Sequence, residues 1–217
     1  SNRLKASTTI SRLCYVGEVL KTRNNKAKGS RSPIQVGAEL FGHQGVESDF
    51  EIIELMLESM QRINLPDIKM SLGHVAIVTE MMRLADFDSK QSKEFIDILQ
   101  RKAIPEYESF MASVEVSADL KEKFAVLPKL CGDASSVIVE AKKILSGLST
   151  EIDSALDHVE TISQFIQTGF SIPVHLDITE MRGYQYHTGI VFASYSGNRL
   201  QPVAKGGRYD NIGSVFG

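Results

Sequence analysis

The segment RGYQYHTGIVFASY, residues 182–195, combines side chains that can bind a small polar ligand. Arg182 offers five N–H donors in a planar fork, which suits a carboxylate or a phosphate. Gly183 leaves room for the close approach of a ligand or of backbone. Tyr186 and His187 can hydrogen-bond a polar ligand while their rings pack against it. The segment predicts a strand that forms the floor of a ligand site; a surface arginine followed by a half-buried aromatic strand is the alternative.

A second polar pair lies in the segment IQVGAELFG. Gln35 and Glu39 are four residues apart, so they share one face of a predicted strand. Gly37 lies between them and leaves that face open. A carboxylate and an amide above an open floor can hold an ammonium group. An exposed polar strand face is the alternative interpretation.

A third stretch, KGGRYDNIG at residues 205–213, is rich in glycine. Gly206 and Gly207 permit positive φ angles and a close approach of backbone, and Arg208 adds a cation. The stretch can therefore line a site for a phosphate or an amino acid. Its spacing is not that of a phosphate-binding P-loop. A tight connection between two strands explains the same residues.

The bulk composition excludes several classes of function. The chain has 217 residues, of which 42% are hydrophobic, which fits one sizeable domain or a domain with a smaller insert. No apolar run approaches the roughly 20 residues that a membrane helix needs. The net charge of -3 does not attract nucleic acid non-specifically. We expect a soluble protein without a membrane or nucleic-acid partner.

The cysteines and histidines do not show the spacing of a metal site. Cys14 and Cys131 also lack a disulfide pattern, which indicates buried thiols in a reducing compartment and so a cytoplasmic protein. His43, His74 and His158 are scattered along the chain. No serine has the context of a nucleophile elbow. We therefore expect no metal, no cofactor and no acyl-transfer chemistry.

The order of predicted elements indicates an α+β fold. Strands are predicted at 11–20 and 34–42, joined by a basic loop as an antiparallel pair. Next come a helix, a short strand at 67–74 and a long helical stretch. This stretch ends at Gly169, which stands at a helix C-cap position. Strand patterns return in IPVHLDIT, GIVFASY and QPVAKGG. Asp177, in the first of these segments, faces either the cleft or water. We expect an antiparallel sheet built from 1–74 and 170–217, with a mostly helical insertion at 75–169.

Together the segments IQVGAELFG, LDITEMRGYQYHTGIVFASY and GGRYDNIG resemble the histidyl-tRNA synthetase family. The resemblance implies a class II aminoacyl-tRNA synthetase-like antiparallel sheet flanked by helices, with a helical insertion. It also implies a histidine-like pocket. Gln35 and Glu39 would face the ammonium or imidazole, Arg182 the carboxylate, and Tyr186 with His187 the ring. The positions expected to border or line this cleft are Gly183, Gly206, Gly207 and Arg208.

Two functions compete within this resemblance. Active synthetases carry a motif 2 arginine in a phenylalanine–arginine context, whereas this chain has Leu20 and Lys21 at that place. Lysine keeps the charge but lacks the bidentate fork of arginine, and Arg23 could take the role only after a shift in register. The aromatic pair is Tyr186–His187 rather than two tyrosines. The segments are more similar to the paralogous family that serves as regulatory subunit of ATP phosphoribosyltransferase.

The similarity to the regulatory family implies a protein without catalytic residues. Its partner would be the short catalytic chain of the first enzyme of histidine biosynthesis. The regulatory protein would permit the activity of that chain and take part in its feedback inhibition by histidine. A homodimer is expected, histidine is a candidate ligand, and the chain would be the central piece of a longer protein. An active histidyl-tRNA synthetase core and a stand-alone histidine-binding or adenylate-forming protein remain open as alternatives.

Overall fold

The computed structural model describes residues 9–20 and 32–210, which divide between residues 58 and 59 into two compact units. The first unit holds the antiparallel hairpin of β1 (Ser11–Glu18) and β2 (Ile34–Phe41) and the start of α1 (Glu47–Arg62). The antiparallel pairing confirms the prediction. The register places Tyr15 opposite Gly37. Along the β-strand, Gln35, Gly37 and Glu39 therefore share the face of Tyr15.

The second unit is built on a five-stranded sheet. Its strands are β3 (Ile68–His74), β4 (Cys131–Asp133), β5 (Val174–Asp177), β6 (Ile190–Ser196) and β7 (Ala204–Gly207), in the order β4-β5-β3-β6-β7. The sheet is mixed rather than wholly antiparallel, because β3 and β5 pair in parallel. A parallel pair needs a long crossover, and the helices between these two strands provide it.

The crossover helices have recognisable starts and stops. They are α2 (Val75–Leu84), α3 (Ser89–Arg101), α4 (Ile104–Ser113), α5 (Ala118–Val126), α6 (Ala134–Leu145) and α7 (Thr150–Phe170). Asp88 and Gln91 form a capping box at the start of α3. The prediction that Gly169 caps a helix was wrong, because α7 continues to Phe170 and Ser171 takes the left-handed C-cap conformation, with φ 55°.

The helices of the predicted insertion have two kinds of surroundings. Helix α7 contacts β3, β5 and β6, and α6 contacts β4 and β5. Helices α3 to α5 pack around aromatic rings instead, with Phe95 and Phe110 5.3 Å apart and Phe87 and Phe124 stacked. The division into a core at 1–74 and 170–217 and an insertion at 75–169 stays a prediction.

Strand alternation gives the five-stranded sheet two unlike faces. One, the helix face, carries buried side chains and lies against α7, where His158 contacts His74 at 3.3 Å. The opposite one, the cavity face, carries mostly polar and small residues, with the buried Val191 as an apolar exception. The helix face is formed by Met70, Leu72, His74, Val174, Leu176, Ile190, Phe192, Ser194 and Ser196, and the cavity face by Lys69, Ser71, Gly73, His175, Asp177, Val191, Ala193, Tyr195, Lys205 and Gly207.

Two features of the described residues bear on the composition arguments. Cys14 and Cys131 are both exposed, so the prediction of buried thiols was wrong. Cys14 lies on β1, where every residue except Ser11 is exposed, and Cys131 is the exposed first residue of β4. The Cys131 Sγ atom lies 3.3 Å from His175 Nε2. Among residues 9–20 and 32–210, no helix has the length and apolar character needed to cross a membrane.

Candidate functional site

A cavity of about 820 Å³ opens on the cavity face of the five-stranded sheet. Its polar lining includes Lys69, Ser71, Lys102, His175, Asp177, Thr179, Glu180, Arg182, Tyr195 and Arg199. Leu99, Met181 and Leu200 add apolar surface. The volume falls within the roughly 300–1,000 Å³ of pockets that bind small molecules, and convergent polar groups on an apolar wall are their usual lining. The cavity is therefore the candidate ligand site of the second unit.

The residues that follow Arg182 form a turn, whereas the sequence predicted a strand over 182–195. Gly183 has a φ of 72°, in the left-handed region that favours glycine. Its carbonyl accepts hydrogen bonds from the backbone N–H groups of Tyr186 at 2.8 Å and His187 at 2.9 Å. These bonds coil the first half of the segment, and β6 begins only at Ile190. The strand prediction was therefore wrong for residues 182–189.

Arg182 lies in the cavity, but its guanidinium already has a partner. Its Nε donates to Glu180 Oε2 at 2.8 Å, and its Nη1 donates to Tyr195 Oη at 3.3 Å. The hydrogen bonds to Glu180 raise the pKa of Arg182 above its ordinary value. A ligand carboxylate at Arg182 would therefore have to compete with Glu180. Glu180 can lie here because Gly73 has no side chain, since a Cβ at that position would collide with the Glu180 stem.

Asp177 belongs to a second polar network, beside the Arg182 pair. Asp177 is only 6% exposed, and its carboxylate accepts from the Thr179 backbone N–H at 2.9 Å and hydroxyl at 2.8 Å. Lys102 forms an ion pair with Asp177, and its Nζ donates to Thr179 Oγ1 at 2.7 Å. Lys102 caps α3 in the left-handed conformation, with φ 53°. This network ties the end of α3 to the end of β5, and it places Asp177 in the cavity rather than towards open water.

The aromatic pair Tyr186–His187 forms a separate cluster beside β7. The Tyr186 ring packs on Tyr209 with ring centroids 4.7 Å apart. The His187 ring covers Gly207, where an added Cβ would lie 2.7 Å from His187 Cδ2. Partial burial lowers the pKa of His187 below its ordinary value. In the described part of the chain, neither Tyr186 nor His187 lines the Arg182 cavity.

The glycine-rich stretch supplies backbone to this cluster. Gly206 faces the opposite side of the sheet from Gly207, and an added Cβ would lie 2.5 Å from the Phe192 ring. The Arg208 backbone N–H donates to the Ile190 carbonyl at 2.9 Å, and its Nη1 lies 3.2 Å from Asp210 Oδ1. Residues 211–213 of the stretch lie outside the described residues.

The predicted pair Gln35 and Glu39 lies in the first unit, on β2. Gln35 Nε2 donates to Tyr15 Oη at 2.6 Å. The Tyr15 ring covers Gly37, because a Cβ at that position would collide with the ring. The floor predicted to be open is therefore occupied by an aromatic ring from the neighbouring strand. Leu20 is exposed, whereas Lys21 and Arg23 fall outside the described residues.

The sequence reasoning missed several residues of the cavity. Lys69 could have been found from the alternation of β3, which also puts Ser71 on the cavity face. Thr179 follows Asp177 by two residues, the spacing of a local turn in which a carboxylate accepts from backbone. Lys102 gave no signal, because its partner Asp177 is far away in the chain.

The chain belongs to the histidyl-tRNA synthetase family, because the model of that family, described as histidyl-tRNA synthetase, matches residues 1–217. A solved structure of an ATP phosphoribosyltransferase regulatory subunit/histidyl-tRNA synthetase from Bacillus halodurans C superimposes with a TM-score of 0.83 at 28% identity, over 99% of this chain and 56% of that one. These matches confirm the predicted class II aminoacyl-tRNA synthetase-like α+β fold.

A curated relative resolves the comparison further. The chain is 50% identical over 218 positions to the ATP phosphoribosyltransferase regulatory subunit of Hydrogenovibrio crunogenus (strain DSM 25203 / XCL-2), which covers 100% of this chain and 56% of the relative. The chain thus spans about half the length of that relative. The ATP phosphoribosyl transferase (HisG:HisZ) complex from Thermotoga maritima, at 18% identity and a TM-score of 0.71 over 94% of this chain and 70% of that one, shares the fold.

Proposed function

We propose that the full-length protein is a non-catalytic regulatory subunit of ATP phosphoribosyltransferase. The observation that carries the proposal is the 50% identity, over the whole of this chain, to a relative that bears this name. The protein then permits the activity of a short catalytic chain and takes part in histidine feedback on the first step of histidine biosynthesis. The chemistry resides in the partner chain, so no residue of this chain is assigned a catalytic role.

The local chemistry of two positions supports a role without catalysis. Leu20 and Lys21 stand where an active synthetase of this family would have phenylalanine and arginine. Lysine cannot offer a phosphate the bidentate fork of arginine. The other candidate fork, that of Arg182, is held by Glu180 and Tyr195. Neither Lys21 nor Arg182 is therefore well suited to hold the phosphates of a nucleotide.

The predicted histidine pocket is part of this proposal. Its members from the second unit fall into two groups, the Arg182 cavity and the Tyr186–His187 cluster, and its members from the first unit are Gln35 and Glu39. The remaining positions proposed to border it are Gly183, Gly206, Gly207 and Arg208. A protein of this kind acts in the cytoplasm as a homodimer that binds the catalytic chain, without a membrane or nucleic-acid partner. The two free thiols are compatible with a reducing compartment.

The test is phosphoribosyl transfer by the short catalytic chain of the same source, measured with and without the full-length protein. A large gain in rate that histidine reverses is the expected result. Histidine-dependent exchange of pyrophosphate into ATP by the protein alone, without any gain for the catalytic chain, would show an active synthetase and overturn the proposal. Binding of histidine without either activity would favour a stand-alone histidine-binding protein.

A further inference from the structure

The charges that line the cavity do not balance. The cations are Lys69, Lys102, Arg182 and Arg199, and the carboxylates are Asp177 and Glu180. Each carboxylate is already paired, Asp177 with Lys102 and Glu180 with Arg182. Within residues 9–20 and 32–210, Lys69 and Arg199 take part in no ion pair. The cavity therefore carries two positive charges that no carboxylate among the described residues pairs with.

These two cations lie at the same end of the cavity. Lys69 is the second residue of β3 and pairs with Tyr195 on β6. After β6 the chain turns at Gly197, whose φ is 57° and whose N–H donates to the Pro66 carbonyl at 3.2 Å, just before β3 begins. Arg199 follows within this turn and lines the cavity with Lys69. The turn thus brings a second cation, Arg199, to the end of the β3–β6 pair where β3 begins and Lys69 lies.

We infer that the Lys69–Arg199 end of the cavity binds the phosphate group of a small phosphorylated ligand. A phosphate monoester carries between one and a half and two negative charges at neutral pH, which matches these two cations. Arginine offers a bidentate fork to phosphate and lysine a mobile point charge. Tyr195 and Asn198 line the same cavity and provide further hydrogen-bonding groups.

The size of the cavity indicates more than an inorganic ion. Its volume of about 820 Å³ leaves room for a whole small metabolite. Leu99, Met181 and Leu200 offer apolar contacts to the remainder of such a ligand. The carboxylates of Asp177 and Glu180 do not repel an anion strongly, because each is held by its own cation. This inference goes beyond the proposed regulatory function and does not need it.

The test is calorimetric titration of the full-length protein at low ionic strength with three probes: ribose 5-phosphate, inorganic phosphate and the dicarboxylate succinate. We expect ribose 5-phosphate to bind and added salt to weaken its binding. Lys69→Met and Arg199→Gln should each weaken the affinity about 10-fold, the usual loss for a charge-assisted hydrogen bond. The matched control Lys93→Met removes an exposed lysine of α3 that does not line the cavity, and it should leave the affinity unchanged.

Each outcome decides the inference. Equal affinity for inorganic phosphate identifies the free ion as the ligand, and tighter binding of ribose 5-phosphate identifies a phosphorylated metabolite; both support the site. Failure of both phosphates to bind at millimolar concentration overturns it, as does succinate binding equally tightly. An equal loss of affinity in Lys93→Met would also overturn it. Lys69→Arg, which keeps the charge, should retain binding if the folded state of Lys69→Met is in question. The titration contains no catalytic chain, so it is independent of the test of regulation.

Discussion

The two faces of the five-stranded sheet are built from alternate residues of the same strands, yet their surroundings differ. On the helix face, Leu72 and Leu176 are fully buried. On the cavity face, the neighbouring positions of the same strands are Ser71, His175 and Asp177, which line the cavity. One strand therefore serves the core with its even positions and the candidate site with its odd positions. Truncating a buried side chain of the helix face should therefore cost stability, whereas truncating a polar side chain that lines the cavity should mainly affect ligand binding.

Polar groups are satisfied differently on the two faces. On the helix face, the Ser194 hydroxyl donates to Met60 Sδ at 3.2 Å, and the Ser196 hydroxyl donates to the Pro66 carbonyl at 2.6 Å. These bonds join neutral groups, and both serines are buried. On the cavity face, Asp177 and Glu180 are paired with cations whose side chains are about half exposed. The cavity face therefore has charges that can rearrange around a ligand, whereas the helix face has none to offer.

The largest expected effect comes from the helix face. Leu72→Ala should lower the free energy of unfolding by about 3 kcal/mol, because it removes a fully buried side chain and leaves a cavity. Leu200→Ala is the matched control: Leu200 is 94% exposed, so the same substitution should change stability by less than about 0.5 kcal/mol. Urea denaturation measures both. Equal losses in the two variants would break the contrast between the faces.

A glycine of the cavity face should give the next effect. In Gly73→Ala the new methyl group would collide with the stem of Glu180 and approach the Asp177 carbonyl to 3.2 Å. We expect a loss of about 2 kcal/mol on urea denaturation, the cost of overpacking. The matched control is Gly169→Ala in α7, where no atom lies within 4 Å of the added Cβ. That change should raise stability by up to about 1 kcal/mol, because alanine favours helix; a loss there would contradict the observed course of α7.

A third experiment removes one charged pair of the cavity. Lys102→Met leaves the carboxylate of Asp177 with its two hydrogen bonds from Thr179 but without its cation. We expect a loss of about 1 kcal/mol in the free energy of unfolding, because water can partly replace the half-exposed ammonium group. Lys93→Met, on the exposed side of α3, should be neutral. A loss of 3 kcal/mol or more in Lys102→Met would mean that this network acts as part of the core.

The smallest expected effect is a pH dependence from the aromatic cluster. Burial lowers the pKa of His187, so the unfolded chain takes up the proton more readily than the folded one. This contribution to stability is fully present above the unfolded pKa of about 6.5 and is lost as the pH falls below it. His187→Gln should flatten the decline in the free energy of unfolding between pH 7 and pH 5. Urea denaturation at each pH measures this free energy. An unchanged slope would show that other groups dominate.

Local patterns predicted which residues form elements, but not all of their partners. The alternation in IQVGAELFG predicted β2 correctly, because strand geometry acts on neighbouring residues. The turn at 182–189 escaped because its aromatic residues favour strands, whereas Gly183 allows a left-handed conformation. Tyr15 over Gly37 and Lys102 beside Asp177 escaped because both contacts cross from one element to another.

The parallel pairing of β3 with β5 has a consequence for the order in which this protein assembles. Leu72 pairs with Leu176 and with Phe192, so the central strand finds both of its neighbours only after roughly 100 further residues of chain. During synthesis, at about 5–20 residues per second, β3 must wait several seconds with both edges unpaired. Contacts of such long sequence separation slow folding. The intervening helices are made first, and α7 is then available to shield the apolar side of β3 while its neighbours emerge.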